Sequence, residues 1–315
     1  MFTIGTLEEN APHLLADLVE LLTISKWDGK ATYSMADMES LLVAETTQAP
    51  PSTLFNELRD AWRHLSYRQG RFDAAYPFTI DATNNTIKLK SKLTQEARIY
   101  RFLLACSRLR SFDNRLRQSW ATGFTLISRE ALTALLPSSA SVRVFDANSD
   151  DRKKYYGTNL HKALEKLSVD LAANMIDAEE IAKLSTSGDR GIDLVAHVGF
   201  DDSAAGCHAI LGQCAARQKE WPTKTFEAHS DRLRGVFSLL TPPGNIVFIP
   251  LLYRDTNGKW IRNSEVSGCL AIDRWRIIHL LRMSGRVQMI AKQVWFTVFE
   301  QNFQTAAVPK VAKAA

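Results

Sequence analysis

The densest run of chemistry-bearing residues is Gly188-Asp189-Arg190-Gly191-Ile192-Asp193-Leu194-Val195-Ala196-His197. It places an acid just inside an apolar run, after a glycine-containing turn. About twenty residues later comes Ile210-Leu211-Gly212-Gln213-Cys214-Ala215. Asp201-Asp202-Ser203 and Gly206 make a polar connection between the two runs. This layout predicts a hairpin with Asp193 on one strand and Gln213 on its neighbour. Side chains alternate along strands, so position 215 shares the face of Gln213. Gln218-Lys219-Glu220-Trp221-Pro222-Thr223-Lys224 follows closely and supplies two lysines. Acid, amide and amine together are the residue types of cation binding and proton transfer. A plainer reading of the same residues stands beside this one. Gly-Asp-x-Gly is also a turn, Asp189 fits that turn, and Asp193 can cap it. Lys219 and Lys224 can be surface residues at a helix start. His197 and His208 lie on the same hairpin, where single histidines are more often packed than ligating. No GxxxxGKS/T, GxSxG or HExxH occurs, so nothing points to a P-loop, a nucleophile elbow or a zinc helix.

The run Gly-Asp-x-Gly-Ile-Asp followed by Gln213 resembles the PD-(D/E)XK nuclease superfamily, in its restriction-endonuclease-like and Mrr-like branches. That signature has a helix with Glu, then Gly-Asp-x-Gly-Ile-Asp on a strand, then Glu-or-Gln-x-Lys on the next. The resemblance covers about residues 157–282. It implies that Asp193 is the metal-binding acid, Gln213 the second-strand ligand and Glu165, in Leu164-Glu165-Lys166-Leu167, the helix acid. The metal it implies is Mg²⁺, with Mn²⁺ as a substitute, and the substrate is DNA. Glu165 lies off the Leu160/Leu164/Leu167/Leu171 stripe, where a surface acid paired with Lys162 or Lys166 is equally at home. The lysine of the signature is replaced by Ala215. Superfamily members can supply that lysine from an adjacent helix. This favours Lys224, which opens the next predicted helix, with Lys219 second.

Gly-Gln-Cys-Ala followed by Trp-Pro-Thr-Lys looks like a subgroup of bacterial proteins often linked to phage defence. Ser267-Gly268-Cys269-Leu270-Ala271-Ile272-Asp273-Arg274-Trp275-Arg276 fits the same subgroup. There Asp273 is expected to cap the last helix. Arg274 and Arg276 are candidates for phosphate contact, with an Asp273–Arg276 ion pair as the alternative. The chemistry explains the residue types. Phosphodiester cleavage adds charge to a phosphate that already repels nucleophiles. Carboxylate-held Mg²⁺ polarises the phosphate and lowers the pKa of an attacking water, and lysine orients or deprotonates that water. Gln in place of Glu keeps an oxygen ligand but removes a charge, which weakens metal affinity.

The elements that must position these residues form an α+β (mixed α/β) pattern. Leu14, Leu18, Leu21 and Leu22 recur at helical spacing; Met35 to Ala44, capped by Ser34, and Phe55 to Gln69 also read as helices. Gln48 to Thr53 reads as a linker. A hairpin turning at Asn84-Asn85 follows, then a helix capped by Thr94 and running through Leu109. Helices with a small hairpin suit a winged-helix-like module. Pro137-Ser138-Ser139-Ala140-Ser141 marks a boundary. Beyond it, strands are expected over 141–145, 192–198, 207–215, 245–253 and 268–272. Helices are expected over 158–174, 223–240 and 274–283. This predicts a mostly helical recognition or regulatory domain over 1–137. A restriction-endonuclease-like mixed-sheet core flanked by helices follows over 138–304, and a fraying tail over 305–315.

Length and composition set the frame. The chain has 315 residues, 45% hydrophobic and 23% charged, ordinary for a soluble globular protein and long enough for two domains. No run of about 18 apolar residues suggests a membrane span, and no secretory leader is visible. Cys106, Cys207, Cys214 and Cys269 form no CxxC pair, which suits reduced cytoplasmic thiols. Residues 1–60 hold ten acids and three bases, a local charge of −7 suited to docking a protein partner or activator subunit. Residues 86–118 hold nine bases and two acids, a local charge of +7. Arg108, Arg110, Arg115 and Arg117 in that block are candidates for nucleic-acid contact; a solvated arginine-rich helical face is the alternative. Two functions follow, with a fully inert structural subunit as a third. One is a Mg²⁺-dependent DNA endonuclease of antiviral defence, acting with or restrained by a partner, and able to oligomerise. The other is a degenerate nuclease fold that binds DNA or a partner without cutting, favoured by Ala215 and Gln213.

Overall fold

The computed structural model describes residues 2–4, 7–8, 10–45, 53–218 and 220–309. The first half contains α1 (Pro12–Ser25), β1 (Thr32–Ser34), α2 (Met35–Glu45), α3 (Leu54–Phe72), β2 (Phe78–Asp81), β3 (Thr86–Leu89), α4 (Gln95–Ser107) and α5 (Asn114–Leu135). The second contains β4 (Ser141–Val144), α6 (Leu160–Asp170), β5 (Met175–Ile176), α7 (Ala178–Ala182), β6 (Leu194–Val198), β7 (His208–Cys214) and β8 (Phe237–Ser238). It ends with β9 (Gly244–Phe248), β10 (Leu270–Ile272), α8 (Arg274–Met283), α9 (Val287–Ala291) and α10 (Val294–Ala306). The chain is an α+β protein whose helices flank a five-stranded mixed sheet of order β10-β9-β7-β6-β4. β4, β6 and β7 are antiparallel, whereas β9 and β10 run parallel to β7.

Local chemistry sets several boundaries. Ser34 Oγ accepts the Asp37 N–H, and Asp37 accepts from Ser34 N, a reciprocal cap on α2. Thr94 and Asp113 cap α4 and α5 through the N–H groups of Ala97 and Leu116. Asp273 caps α8 through Arg276 N at 3.0 Å, as expected. The hairpin β2–β3 pairs through Ile80↔Ile87, and β1 adds to it by pairing with β3. With α1, α2 and α3 this three-stranded sheet makes up the first part of the helical half. The 48–52 part of the expected linker lies outside the described residues.

Three expectations change. Residues 223–240 form no helix; the chain runs through short turns at Trp221–Lys224 and Ser230–Leu233 and then β8. Local bonds such as Thr225 Oγ to Pro222 O compete with helical pairing, while Ala228, Leu233, Val236 and Phe237 are drawn into the core. The longest helix among the described residues, α5, has no counterpart among the expected elements, although Trp120, Phe124, Ile127 and Ala131 give it one buried face. Finally, the segment 305–315 does not begin as a fraying tail. α10 extends to Ala306, Ala307 is buried, and Phe2 N donates to Val308 O.

The two faces of the large sheet bury different partners. Leu194, Ala196, Ile210, Ile246, Phe248 and Ile272 join a cluster that reaches from Phe2 to Ala307 and includes α1, α4, α5, α8 and α10. The opposite face, with Val195, Ala209 and Leu211, packs on Leu160, Leu164 and Leu167 of α6. The boundary expected at 137/138 falls in the turn between α5 and β4, and the first cluster draws on residues from both sides of it.

A buried ion network spans the same divide. Arg68 of α3 reaches Asp17 at 2.6 Å and Glu20 at 2.9 Å, and Arg274 of α8 reaches Asp17 at 2.9 Å. Tyr76 and Tyr100 donate to Glu20, and the Arg274 Nε–H bonds Pro250 O. All four charged side chains are almost wholly excluded from water. Burial pushes the Asp17 carboxyl up, but Arg274 and Arg68 overcome this and hold it below the usual carboxylate range. Two of the ten N-terminal acids are therefore spent inside the fold and offer nothing to a docking partner.

Candidate functional site

Strand pairing builds the site. The register Leu194↔Gly212 makes Gln213 the cross-strand neighbour of Asp193, and Asp193 N donates to Gly212 O at 3.0 Å. On the other side, Phe145 N donates to Asp193 O at 2.7 Å, continuing the β4–β6 ladder. Asp146, the next residue, is thus delivered beside Asp193. The turn before β6 supplies the third acid. Gly191 N donates to Asp189 Oδ1 at 2.9 Å, and Gly188, Arg190 and Gly191 all have positive φ, which folds Asp189 back.

Carboxylate oxygens of Asp146, Asp189 and Asp193 lie within 4.8 Å of one another. One oxygen of each is fixed by a backbone N–H: Asp146 Oδ1 by Asn148, Asp189 Oδ1 by Gly191, and Asp193 Oδ2 by Cys214 at 2.6 Å. Among the described residues the second oxygen of each takes no hydrogen bond. Buried Gln213, on the Asp193 face, has an Oε1 without a partner. Burial, the largest cause, together with Asp189 and Asp146 pushes the Asp193 carboxyl up to about 7, against the opposing pull of the Cys214 N–H and Lys224. An all-oxygen set of three carboxylates and one orphaned amide oxygen fits a hard divalent cation such as Mg²⁺.

Arg152 holds the cluster's frame. Its Nη1 donates to Phe145 O at 3.0 Å and its Nη2 to Gly188 O at 3.3 Å. Each carbonyl belongs to the residue just before a cluster acid. Arg152 is buried, and burial lowers its pKa from the usual guanidinium value. Gly191 is required on two counts. Its φ is +78°, and a Cβ there would lie 3.1 Å from Glu227 Cβ and 3.2 Å from Glu227 O. Glu227 in turn holds Lys224 Nζ at 2.8 and 2.6 Å. Lys224 sits in the turn Trp221–Lys224 rather than at a helix start, and its charge acts on Asp193.

The strand register makes Asp193 and Gln213 cross-strand neighbours, as expected, while the ammonium of Lys224 is held by Glu227. The structure corrects other assignments. Glu165 is exposed on α6 and stands outside the acidic cluster, because the helix turns its Leu160/Leu164/Leu167 face inward. Asp189 belongs to the cluster as well as to its turn. Asp146, Arg152 and Glu227 were missed. An acid one residue past a predicted strand was the only signal for Asp146, and it is informative only once β4 is known to pair with β6. Ala215 is buried against Trp221 and Val247, so the position of the signature lysine is part of the core. Lys219 lies outside the described residues.

The candidate phosphate contacts mostly have other work. Arg274 is buried in the ion network, and Arg108 is buried with Nη2 donating to Ile4 O at 2.8 Å; burial lowers its pKa to about 10. Arg276 donates to Ala271 O at 2.6 Å and stacks on Trp260, and the expected partner Asp273 pairs with Arg254 instead. Arg117 is half-buried and bonds Phe112 O, while exposed Arg110 pairs with Glu220 at 2.9 Å. Arg115 remains on the surface. The basic block is therefore divided among several faces.

Comparison of the chain with protein-family models, curated proteins and solved structures finds no match. No helix among the described residues is long and apolar enough to cross a membrane.

Proposed function

We propose that the chain is a Mg²⁺-dependent nuclease that hydrolyses DNA phosphodiester bonds at the Asp146–Asp189–Asp193 cluster. The observation that carries this reading is the cluster itself, three carboxylates with oxygens within 4.8 Å, with Gln213, whose Oε1 has no partner, cross-strand from Asp193. Such a set concentrates negative charge that Asp193 can relieve only by taking a proton or facing a cation. Asp146, Asp189, Asp193 and Gln213 would hold the ion. When bound, it would polarise the scissile phosphate and acidify a water.

The remaining roles fall to the chain. Cys214, Gly191 and Asn148 N–H groups each fix one carboxylate oxygen, and the other would be available to hold the ion. Arg152 keeps the two acid-bearing loops at one spacing. Lys224, whose charge acts on Asp193, would offset charge developing on the phosphate. Glu227 restrains that amine.

The reading resembles the PD-(D/E)XK plan with two of its acids in different places. A binding-only role gains from two observations: Lys224 is already ion-paired with Glu227, and Ala215 is core. A supercoiled-plasmid assay separates the two. Cutting in Mg²⁺ or Mn²⁺, absent in EDTA and lost in Asp193→Ala, Asp189→Ala and Lys224→Ala, is the expected result. Cutting that survives Asp193→Ala overturns the site. No cutting with either ion favours the binding-only role.

A further inference from the structure

One polar surface has no part in the metal cluster. The small sheet buries Tyr33, Phe78, Ile80 and Ile87 on one face. Its other face carries a cross-strand row, Thr32–Lys88–Thr79, set by the pairings Thr32↔Lys88 and Thr79↔Lys88. All three side chains are exposed. Lys90 and Lys92 continue from the end of β3, and with Thr86 and Ser91 they line one shallow groove with the row. None of the three lysines reaches a carboxylate among the described residues. The one acid in the groove, Asp81, is already occupied by Thr83 N, Asn84 N and Asn84 Nδ2.

We infer that this groove is a docking surface for the phosphate backbone of duplex DNA, separate from the residues that would cut it. Ammonium groups interleaved with hydroxyl groups form a donor surface suited to a line of phosphates. Such contacts position a duplex without reading its sequence. An acidic peptide of compact fold would instead need an exposed apolar anchor beside the charges, whereas Leu89, the groove's apolar lining residue, is half-buried against the core. The strand spacing of about 4.8 Å places hydroxyl donors on both sides of Lys88, so one phosphate can meet three groups. The choice of DNA over other polyanions rests on the nuclease reading.

The test is fluorescence anisotropy of the full chain with a labelled duplex in EDTA, where cutting cannot intervene. Replacing Lys88, Lys90 and Lys92 together by Gln is expected to weaken binding about tenfold or more at low salt. It should also reduce the slope of log affinity against log salt by about 2–3. Arg110→Gln with Arg115→Gln should bind like wild type. An unchanged affinity and slope in the lysine variant, with its melting temperature intact, overturns the inference. So does polyglutamate that competes as well as DNA at equal charge. Loss of DNA binding in a protein that never cuts would sustain this surface while removing the nuclease reading. Cutting by a protein whose lysine variant binds normally would do the reverse.

Discussion

Asp193 pays for its position in the metal-free protein. Its carboxyl titrates near 7 in the fold against an ordinary 3.8, so between these values the native state binds more protons than the unfolded chain. Stability must then fall as pH rises from about 4 to about 7. Asp193→Asn keeps an oxygen for the Cys214 N–H and removes the charge. It is expected to stabilise the metal-free protein by about 1–3 kcal/mol at pH 8 and by almost nothing at pH 4. Thermal melts in EDTA at both pH values check this; a variant less stable than wild type at pH 8 refutes it. Arg152 acts one shell further out, through the Phe145 and Gly188 carbonyls. Arg152→Ala should lower divalent-ion affinity about 10–100-fold, as loss of outer supports commonly does. Calorimetric titration with Mn²⁺ measures it directly.

At the scale of elements, the turn from Gly188 to Asp193 is pinned between β7 and the segment carrying Lys224 and Glu227. Gly188 and Gly191 both have positive φ, but only Gly191 meets a neighbour. Gly188→Ala should therefore cost only the left-handed backbone term, about 1–2 kcal/mol. Gly191→Ala should cost more, about 2–4 kcal/mol, because the new Cβ must also displace Glu227 backbone. Urea titrations of the two variants compare them, and equal losses would show that the Glu227 approach is unimportant. The failure of 223–240 as a helix belongs to this scale too. Pro222, Gly235 and local side-chain bonds let the segment run through short turns, where Lys224 pairs with Glu227 and its charge acts on Asp193.

Across the whole molecule, the Asp17–Glu20–Arg68–Arg274 network joins α1, α3 and α8. Removing one member strands a buried charge. Arg274→Ala is expected to destabilise by about 3–5 kcal/mol, whereas exposed Arg115→Ala should stay within about 0.5 kcal/mol. Denaturant melts distinguish them; a small loss for Arg274→Ala would mean that water enters the network. The same region sets an acid limit. Burial lowers His13 to about 4 and, with Arg68, lowers His64 well below its ordinary 6.5. His64 Nδ1 accepts from Arg68 Nε, which assigns the proton to Nε2 facing Arg254 O. The unfolded chain binds more protons below 6.5, so stability is lost as pH falls from about 6.5 toward 4.

Local information in the sequence determined the α+β pattern, the caps at Ser34, Thr94 and Asp273, the β2–β3 hairpin, and the pairing of Asp193 with Gln213. Each of these depends on periodicity, turn chemistry or a two-strand register within a short stretch. Tertiary structure alone decided the partners of Asp193. Asp146 arrives through an edge strand some fifty residues earlier, and Arg152 joins two loops that share no local pattern. It also decided which arginines face water. Arg108 and Arg274 look like surface cations in one dimension, and only the packing of α1 and the N-terminal segment against them turns both inward. Periodicity reports that a residue has an inner face to turn to; it does not report what is waiting there.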